Sequence, residues 1–319
     1  MNDTEGALVG ERYRLDQPIG RGRAGIVWLA FDSMLHRTVA AKRLYIDPDL
    51  PAERAEEARQ SALHEGRQAT RVLHANAIAV FDAFRDGDDV WLVMEYVPSR
   101  NMAEFLTEYG QLTPEQAAFL GIQLGSALAV AHALGMPHRL VEPGNVLLAD
   151  DGGVKITDIG ISGGPPDPAY RAPEVAKGEP ALAAADTYSL GATLFAAVEG
   201  VPPFGPDGVS EHAVPNRTGA LTGALLKMLR DDPDLRPTMA DAVTALKAVT
   251  RGQHNGFVPP TAPAMPTVPV MPRTPRVTPP PAPAPEPQRR PGPRVRPWQW
   301  AIVAAVVVTI IVVGVILAI

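Results

Sequence analysis

The stretch of sequence that decides the fold is HRLVEPGN, residues 138–145. The apolar run VLL follows it directly, and a DDGG turn then leads into VKIT, which together predict a β-hairpin. Asp158-Ile159-Gly160 closes this hairpin. The polar loop and the Asp beyond the hairpin are therefore the first candidates for functional residues.

A glycine-rich segment lies near the start of the chain. Residues 12–19 alternate as a strand does, and GRGRAGIV, residues 20–27, follows. A G-x-G-x-x-G pattern alone is weak evidence, because dinucleotide-binding folds use it too. Here residues 26–30 favour a second strand rather than a helix, which predicts a strand-turn-strand flap whose backbone amides approach phosphates. The alternative is an ordinary hairpin turn, which this stretch alone would favour.

Three further segments follow the flap in order. A third strand ends in VAAK, residues 39–42, and the helix-like segment 51–73 carries Glu65 in its second half. Residues 90–97, VWLVMEYV, form an apolar strand that turns polar. A single Lys on a strand usually marks an exposed strand end. Lys42 is a candidate functional residue only because the other segments follow it in this order.

The second half of the chain is predicted to be mainly helical. TPEQ, residues 113–116, combines an N-cap Thr, a Pro at the first helical position and an acidic residue, so it predicts a helix start. The helix is expected to stop at Gly135. The later motifs are APE at 172–174, DTYSLG at 186–191 and RPT at 236–238.

In this order and at these spacings the motifs resemble those of the eukaryotic-like (Hanks-type) Ser/Thr protein kinases of bacteria. The resemblance covers about Arg12 to Val249. It implies an α+β fold with two lobes, a β-rich small lobe and a helical large lobe. The expected organisation is a flexible N-terminus at 1–11, a protein kinase-like domain at 12–250, a Pro-rich linker at 251–297 and a transmembrane helix at 298–319.

The resemblance also implies roles for individual residues. Lys42 would hold the α- and β-phosphates of ATP and pair with Glu65, while Asn145 and Asp158 would hold Mg²⁺. Glu174 and Arg236 would form an ion pair that holds the fold, and Asp186 would brace the loop at 138–145. The other implied nucleotide-binding residues are Gly20, Gly22, Gly25, Val27, Ala40, Met94, Glu95, Val97 and Leu147.

The chain departs from the family where phosphoryl transfer takes place. Leu140 stands at the position of the catalytic Asp, and a Leu side chain can neither accept a proton nor orient a hydroxyl group. Glu142 replaces the usual Lys, and Asp167 replaces the Thr that bridges these two positions. Since the three positions act together, no catalytic residue set is intact.

Two later segments are also unusual for the family. Between Asp158 and Glu174 there is no Thr to receive an activating phosphate, so Arg139 has no obvious phosphate to bind. Ser162 and Tyr170 carry the hydroxyl groups of that segment. After PPF, residues 202–204, the chain passes quickly to the next helix, so the helix that helps to dock substrates is expected to be shortened or missing.

Composition restricts the compartment and the classes of partner. The net charge is −6, and the Pro-rich segment 258–297 carries +5, so the rest of the chain is near −11. An acidic body argues against nucleic acid as a partner. The absence of cysteine excludes disulfides and suits a reducing compartment. Residues 1–5 lack the basic start of a signal peptide.

The C-terminal part predicts a linker followed by a membrane anchor. Sixteen of the 34 prolines lie between Val258 and Pro297, so this segment is expected to be extended and semi-rigid. The uncharged run 298–319 is long enough for a bilayer core of about 30 Å. Four Arg residues between 289 and 296 predict a single-pass protein of the cell membrane with its kinase-like domain in the cytoplasm.

These observations favour a membrane-anchored pseudokinase that acts as a signalling scaffold or regulator. It is expected to bind ATP with Mg²⁺, weakened by the negative charge of Glu142. Expected partners are cytoplasmic signalling proteins, among them a forkhead-associated domain protein or an active Ser/Thr kinase. The alternatives are a weakly active or unconventional Ser/Thr kinase, in which Glu142 serves as the base, and a nucleotide sensor. A plainer alternative is that the nucleotide motifs persist only as structure.

Overall fold

The computed structural model describes residues 5–22, 24–164 and 166–251. Within these ranges the chain has the predicted two lobes, a β-rich small lobe and a helical large lobe. The predicted transmembrane helix at 298–319 lies outside the described residues, and so does the predicted linker apart from Arg251.

The small lobe is an antiparallel six-stranded sheet in the order β1-β2-β3-β4-β6-β5, with one helix. Its second and third strands form the predicted flap, since Gly22 pairs directly with Gly25. The bounds are β1 Leu8–Val9, β2 Tyr13–Gly22, β3 Gly25–Asp32, β4 Arg37–Leu44, α1 Ala52–Ala69, β5 Val80–Asp86 and β6 Asp89–Met94.

The segment predicted to be a flexible N-terminus joins this sheet. Leu8 pairs with Arg14 and Val9 with Tyr13. The physical reason is that Val9 is buried in one apolar cluster with Tyr13 and Leu15. Two apolar residues are too few to produce an alternating pattern, so this strand could not be predicted from periodicity.

The large lobe consists of helices and a small three-stranded sheet in the order β7-β8-β9. No α-helix lies between residues 200 and 218, in agreement with the prediction that the family's substrate-docking helix is shortened or missing. The bounds are β7 Ser99–Asn101, α2 Met102–Tyr109, α3 Pro114–Ala133, β8 Val146–Ala149, β9 Val154–Ile156, α4 Pro173–Ala176, α5 Ala183–Glu199, α6 Thr222–Met228 and α7 Met239–Val249.

Helix α3 begins at the predicted capping sequence. The amide of Gln116 donates to Oγ1 of Thr113 at 3.2 Å, and the Thr113 amide donates to Oε1 of Gln116 at 2.9 Å. This reciprocal pair satisfies two amides that the helix itself leaves without acceptors. Gly135 has a φ of +74° just beyond the helix end, which matches the predicted stop.

Helix α3 is also the one described helix that is long and apolar enough to cross a membrane. Half of the 18-residue apolar stretch within this helix is buried inside the large lobe. Its apolar side chains pack with those of α5 and α7 in the main core cluster, as expected for the core helix of a folded domain.

A buried ion pair joins α4 to the chain before α7. Arg236 donates to both carboxylate oxygens of Glu174 at 2.7 Å, and its side chain is 0% exposed. Three backbone carbonyls, those of Ala184, Arg230 and Asp231, accept its remaining protons. Burial alone would raise the pKa of Glu174, but the hydrogen bond and charge of Arg236 outweigh it and leave that pKa below its ordinary value of 4.5.

We expect Glu174→Ala to lower the free energy of unfolding by about 3–5 kcal/mol, because it leaves the Arg236 guanidinium buried without a counter-charge. Urea unfolding measures the change. Arg217→Ala is the matched control, since Arg217 is exposed, and it should cost less than about 0.5 kcal/mol. A similar loss in both variants would contradict the role of the pair.

The same pair predicts the sign of a pH effect. A carboxylate whose pKa falls on folding adds stability above its unfolded pKa and loses that stability as the pH falls through its folded pKa. The stability difference between the unmodified chain and Glu174→Gln should therefore be constant above about pH 4.5 and should narrow below it.

Candidate active site

A cleft of about 350 Å³ lies between the two lobes, within the size range of small-molecule sites. It brings together every residue predicted to bind nucleotide or metal except Glu65. Those lining residues are Gly20, Gly22, Gly25, Val27, Ala40, Lys42, Met94, Glu95, Val97, Asn145, Leu147 and Asp158.

One end of the cleft is apolar. Ala40, Ile78 and Met94 form a buried cluster, and Val27 and Leu147 pack against it from the two lobes. Flat apolar walls on both sides suit an aromatic base. Sequence reasoning missed Ile78, although its place in the link just before β5, next to the strands of the cleft, was a signal that could have found it.

The polar end of the cleft is organised by Lys42. Its Nζ lies 2.6 Å from Oδ2 of Asp158, and the two side chains are only 6% and 8% exposed. Asp158 has a φ of +64°. This conformation is unfavourable for residues other than glycine, so neighbouring contacts must hold it in place. The pair thus joins strand β4 of the small lobe to the end of the β8–β9 hairpin.

The predicted pairing of Lys42 with Glu65 is wrong in this structure. The Glu65 carboxylate accepts from Nη1 of Arg139 at 2.7 Å and from the amide of Ser162 at 2.9 Å. The physical reason lies in the packing below α1. Ile161 is fully buried in an apolar cluster with residues of α1 and β6, so the segment after Asp158 stands between α1 and the cleft.

Asp186 holds the catalytic-loop segment, residues 138–145, in place through hydrogen bonds. Its carboxylate accepts from the amides of His138 at 2.6 Å and Arg139 at 2.8 Å, as predicted. A third contact, 2.7 Å from Nε2 of His132, was not predicted. Arg139 has a φ of +74°, so this bracing also holds a strained residue. Burial lowers the pKa of His138, which favours the neutral ring.

Leu140, which the sequence resemblance sets at the position of the catalytic Asp, makes an apolar contact. The residue is 6% exposed. A Cβ built on Gly163 would lie 3.4 Å from Cδ1 of Leu140 and would overlap the side chain of Ala24 at the tip of the flap. The flap therefore rests on Gly163, with Leu140 beside it.

Glu142 and Asp167 are the other two positions at which the sequence departs from the family pattern. Both act electrostatically on Tyr170, which lies in the segment between Asp158 and Glu174. Burial, with the negative charges of Asp167 and Glu142, raises the pKa of Tyr170 to about 12. Glu142 is not among the described residues that line the cleft. Its Oε1 nevertheless lies 3.6 Å from the Cβ position of Gly144, a residue that does line the cleft.

The residues at the polar end of the cleft suit a magnesium ion that binds together with a nucleotide. Within residues 5–22, 24–164 and 166–251, no group of three or more His, Asp or Glu could hold a metal by itself. Asp158 offers a carboxylate, and Asn145, whose Nδ2 donates to the Leu140 carbonyl at 2.7 Å, offers an amide oxygen. Mg²⁺ is commonly bound by one or two such ligands together with substrate phosphates.

Comparison with known proteins places these features in a family. The protein kinase domain family matches residues 13–246. The probable serine/threonine-protein kinase PknB of Corynebacterium glutamicum is 34% identical over 77% of this chain and 40% of its own length. The serine/threonine-protein kinase PkaA of Streptomyces coelicolor is 33% identical over 76% of this chain and 51% of its own.

A third relative and a solved structure agree with this result. The serine/threonine-protein kinase PknA of Mycobacterium tuberculosis is 34% identical over 78% of this chain and 58% of its own length. The chain thus spans 40–58% of these three curated relatives. A crystal structure of the Mycobacterium tuberculosis PknI kinase domain shares the fold, with a TM-score of 0.67, 24% identity, and coverage of 78% of this chain and all of that one.

The contact between flap and activation segment predicts the effect of one added methyl group. Gly163→Ala would force Ala24 away, and we expect it to lower the free energy of unfolding by about 1–3 kcal/mol, as overpacking typically does. Gly22→Ala is the control, because nothing lies within 4 Å of its Cβ position. Equal changes in the two urea unfolding curves would mean that this contact does not exist.

Proposed function

This chain belongs to the protein kinase family, and on that premise we propose that it is a pseudokinase, which binds ATP but does not transfer its γ-phosphate. The observation that carries the proposal is Leu140, buried beside Gly163 and Ala24 where the family has its catalytic base. General-base assistance is worth about 10²–10⁴ in rate, or roughly 3–5 kcal/mol of the barrier.

Glu142 is the candidate for a replacement base. A substitute base must reach the proton that it removes, within hydrogen-bond distance or through one water. Glu142 is not among the residues that line the cleft, but its Oε1 lies 3.6 Å from the Cβ position of Gly144, which does line it. The Glu142→Gln variant described below therefore decides its role.

The nucleotide side of the cleft supports ATP binding. The apolar cluster of Ala40, Ile78 and Met94 is suited to the adenine ring, and Lys42 would contact the phosphates. Asn145 and Asp158 would hold a Mg²⁺ ion that arrives with ATP and neutralises phosphate charge. A bound nucleotide and its Mg²⁺ would compete with the Lys42–Asp158 contact, because these two residues would hold the phosphates and the metal ion.

We further propose a membrane-anchored scaffold or regulator whose partners are cytoplasmic signalling proteins, such as an active Ser/Thr kinase or a forkhead-associated domain protein. The acidic kinase-like domain, the Arg-rich segment before residue 298 and the apolar run 298–319 support it. The second candidate is a weakly active Ser/Thr kinase, which is favoured by the similarity to bacterial proteins that are named as Ser/Thr protein kinases.

The anchor is tested by fractionation. We expect the full chain to sediment with membranes and to resist extraction by high salt, because the apolar run inserts in the bilayer. Deletion of residues 298–319 should move the protein to the soluble fraction. A soluble full chain would exclude the anchor.

Phosphate transfer separates the two candidate functions. We expect the full chain, in detergent with labelled ATP and Mg²⁺ or Mn²⁺, to transfer no more phosphate to itself or to a standard peptide than Asp158→Asn does. Millimolar ATP should nevertheless raise its melting temperature, by an amount equivalent to about 2.7 kcal/mol at 100 times the Kd. Lys42→Met should lose most of that stabilisation.

The opposite results have defined meanings. Transfer that disappears in Asp158→Asn would make the chain an enzyme, and its loss in Glu142→Gln would then identify the base. A melting temperature that ATP does not change would exclude the nucleotide site. The double variant Leu140→Asp with Glu142→Lys restores the family pattern, and activity gained by it from an inactive parent would show that only the chemistry had been lost.

A further inference from the structure

The tip of the flap between β2 and β3 is held from two sides. On the small-lobe side, the amide of Tyr45 donates to the carbonyl oxygen of Ala24 at 3.1 Å. On the large-lobe side, the side chain of Ala24 lies directly on Gly163, where an added Cβ would overlap it. The same Cβ position is 3.4 Å from Cδ1 of Leu140. The flap tip is therefore packed down onto the large lobe.

This contact forms an apolar wall, which consists of Ala24, Leu140 and Gly163. All three residues are buried. The cleft as the structure describes it is lined by their neighbours Gly22 and Gly25 but by none of the three. A phosphate that met this wall would lose water without gaining a hydrogen bond from its side chains, which is unfavourable for a charged group.

A nucleotide in the cleft would direct its phosphates towards this wall. The buried cluster of Ala40, Ile78 and Met94 suits the base, and Lys42 lies at the polar end. In protein kinases the strand Lys contacts the α- and β-phosphates, and the catalytic-loop Asp faces the acceptor of the γ-phosphate. Leu140 takes the position of that Asp in the sequence. The wall is therefore expected where a third phosphate would extend beyond the two that Lys42 contacts.

The charges at this end of the cleft act in the same direction as the wall. Glu142 stands where the family has a Lys, and its Oε1 approaches the cleft at Gly144. Asp158 adds a second carboxylate, and Lys42 already contacts it at 2.6 Å. ATP carries one negative charge more than ADP, so these carboxylates repel ATP more strongly.

We propose that the cleft is selective for a nucleoside diphosphate over the corresponding triphosphate. Lys42, together with a Mg²⁺ ion held by Asn145 and Asp158, would compensate the charge of two phosphates. The wall and the carboxylate of Glu142 disfavour a third phosphate. This inference rests on the proposed nucleotide binding and specifies the ligand. The occupancy of the domain by ADP would then rise with the ratio of ADP to ATP.

Calorimetric titration of the full chain in detergent measures this preference directly. The probes are ADP and the β,γ-methylene analogue of ATP, each with excess Mg²⁺, because the terminal phosphate of this analogue is not released by hydrolysis. We expect the Kd of ADP to be about tenfold lower than that of the analogue, at the low end of the discrimination that a closed pocket achieves.

The other outcomes distinguish this inference from the proposed function. A Kd for the triphosphate analogue that is equal to or lower than that of ADP would overturn the selectivity and leave the proposed nucleotide binding intact. Failure of both probes to bind would reject the nucleotide function and the selectivity together.

Two substitutions test the cause of the selectivity. Leu140→Ala shortens the wall and should bring the two Kd values closer together. Leu147→Ala is the matched control, because Leu147 packs at the apolar end and its loss should weaken both probes by the same factor. The readout is the ratio of the two Kd values, which a general loss of affinity does not change.

Glu142→Gln keeps the test decisive if Leu140→Ala does not fold. Removal of this negative charge should also bring the two Kd values closer together, and the effect should decrease as salt is added, because salt screens charge repulsion. A ratio that is the same in the unmodified chain and in every folded variant of Leu140 and Glu142 would overturn the assignment of selectivity to these residues.

Discussion

The Asp186 carboxylate is the contact on which the rest of the site depends. It is almost fully buried and accepts from two consecutive loop amides and from His132. A buried carboxylate is stable only when such donors surround it. These bonds fix the backbone of residues 138 and 139, and that backbone sets the direction of the following residues, Leu140 among them. The same bracing would serve a catalytic Asp, so its presence does not by itself indicate catalysis.

Two ion pairs join the lobes near this loop, and both differ from the arrangement expected for the family. Lys42 binds Asp158, and Glu65 binds Arg139. Both pairs use residues that the family employs for nucleotide or for the loop, so each pair competes with a functional contact. A nucleotide or metal ion that binds at Lys42 or Asp158 would therefore compete with an existing charge contact.

Sequence reasoning was most successful where the signal is local. The flap, the α3 capping box and the Glu174–Arg236 pair follow from short motifs with defined geometry. The partner of Glu65 could not be predicted in that way. It depends on where Ile161 packs, and a single apolar residue in a loop carries no periodic pattern. The His132 contact was missed for a similar reason, because one histidine on a helix has no spacing that identifies its partner.

Two residues near the cleft, Arg139 and Asp158, have left-handed backbone conformations, each of which costs about 1–3 kcal/mol outside glycine. Such conformations persist only while neighbouring contacts hold them, and here those contacts are Asp186 and Lys42. Local opening of the loop would release this strain, which offsets part of the cost of breaking the hydrogen bonds to Asp186. The amides of residues 138 and 139 should therefore exchange hydrogen with solvent by local opening, at a lower free energy than the opening of the large-lobe core.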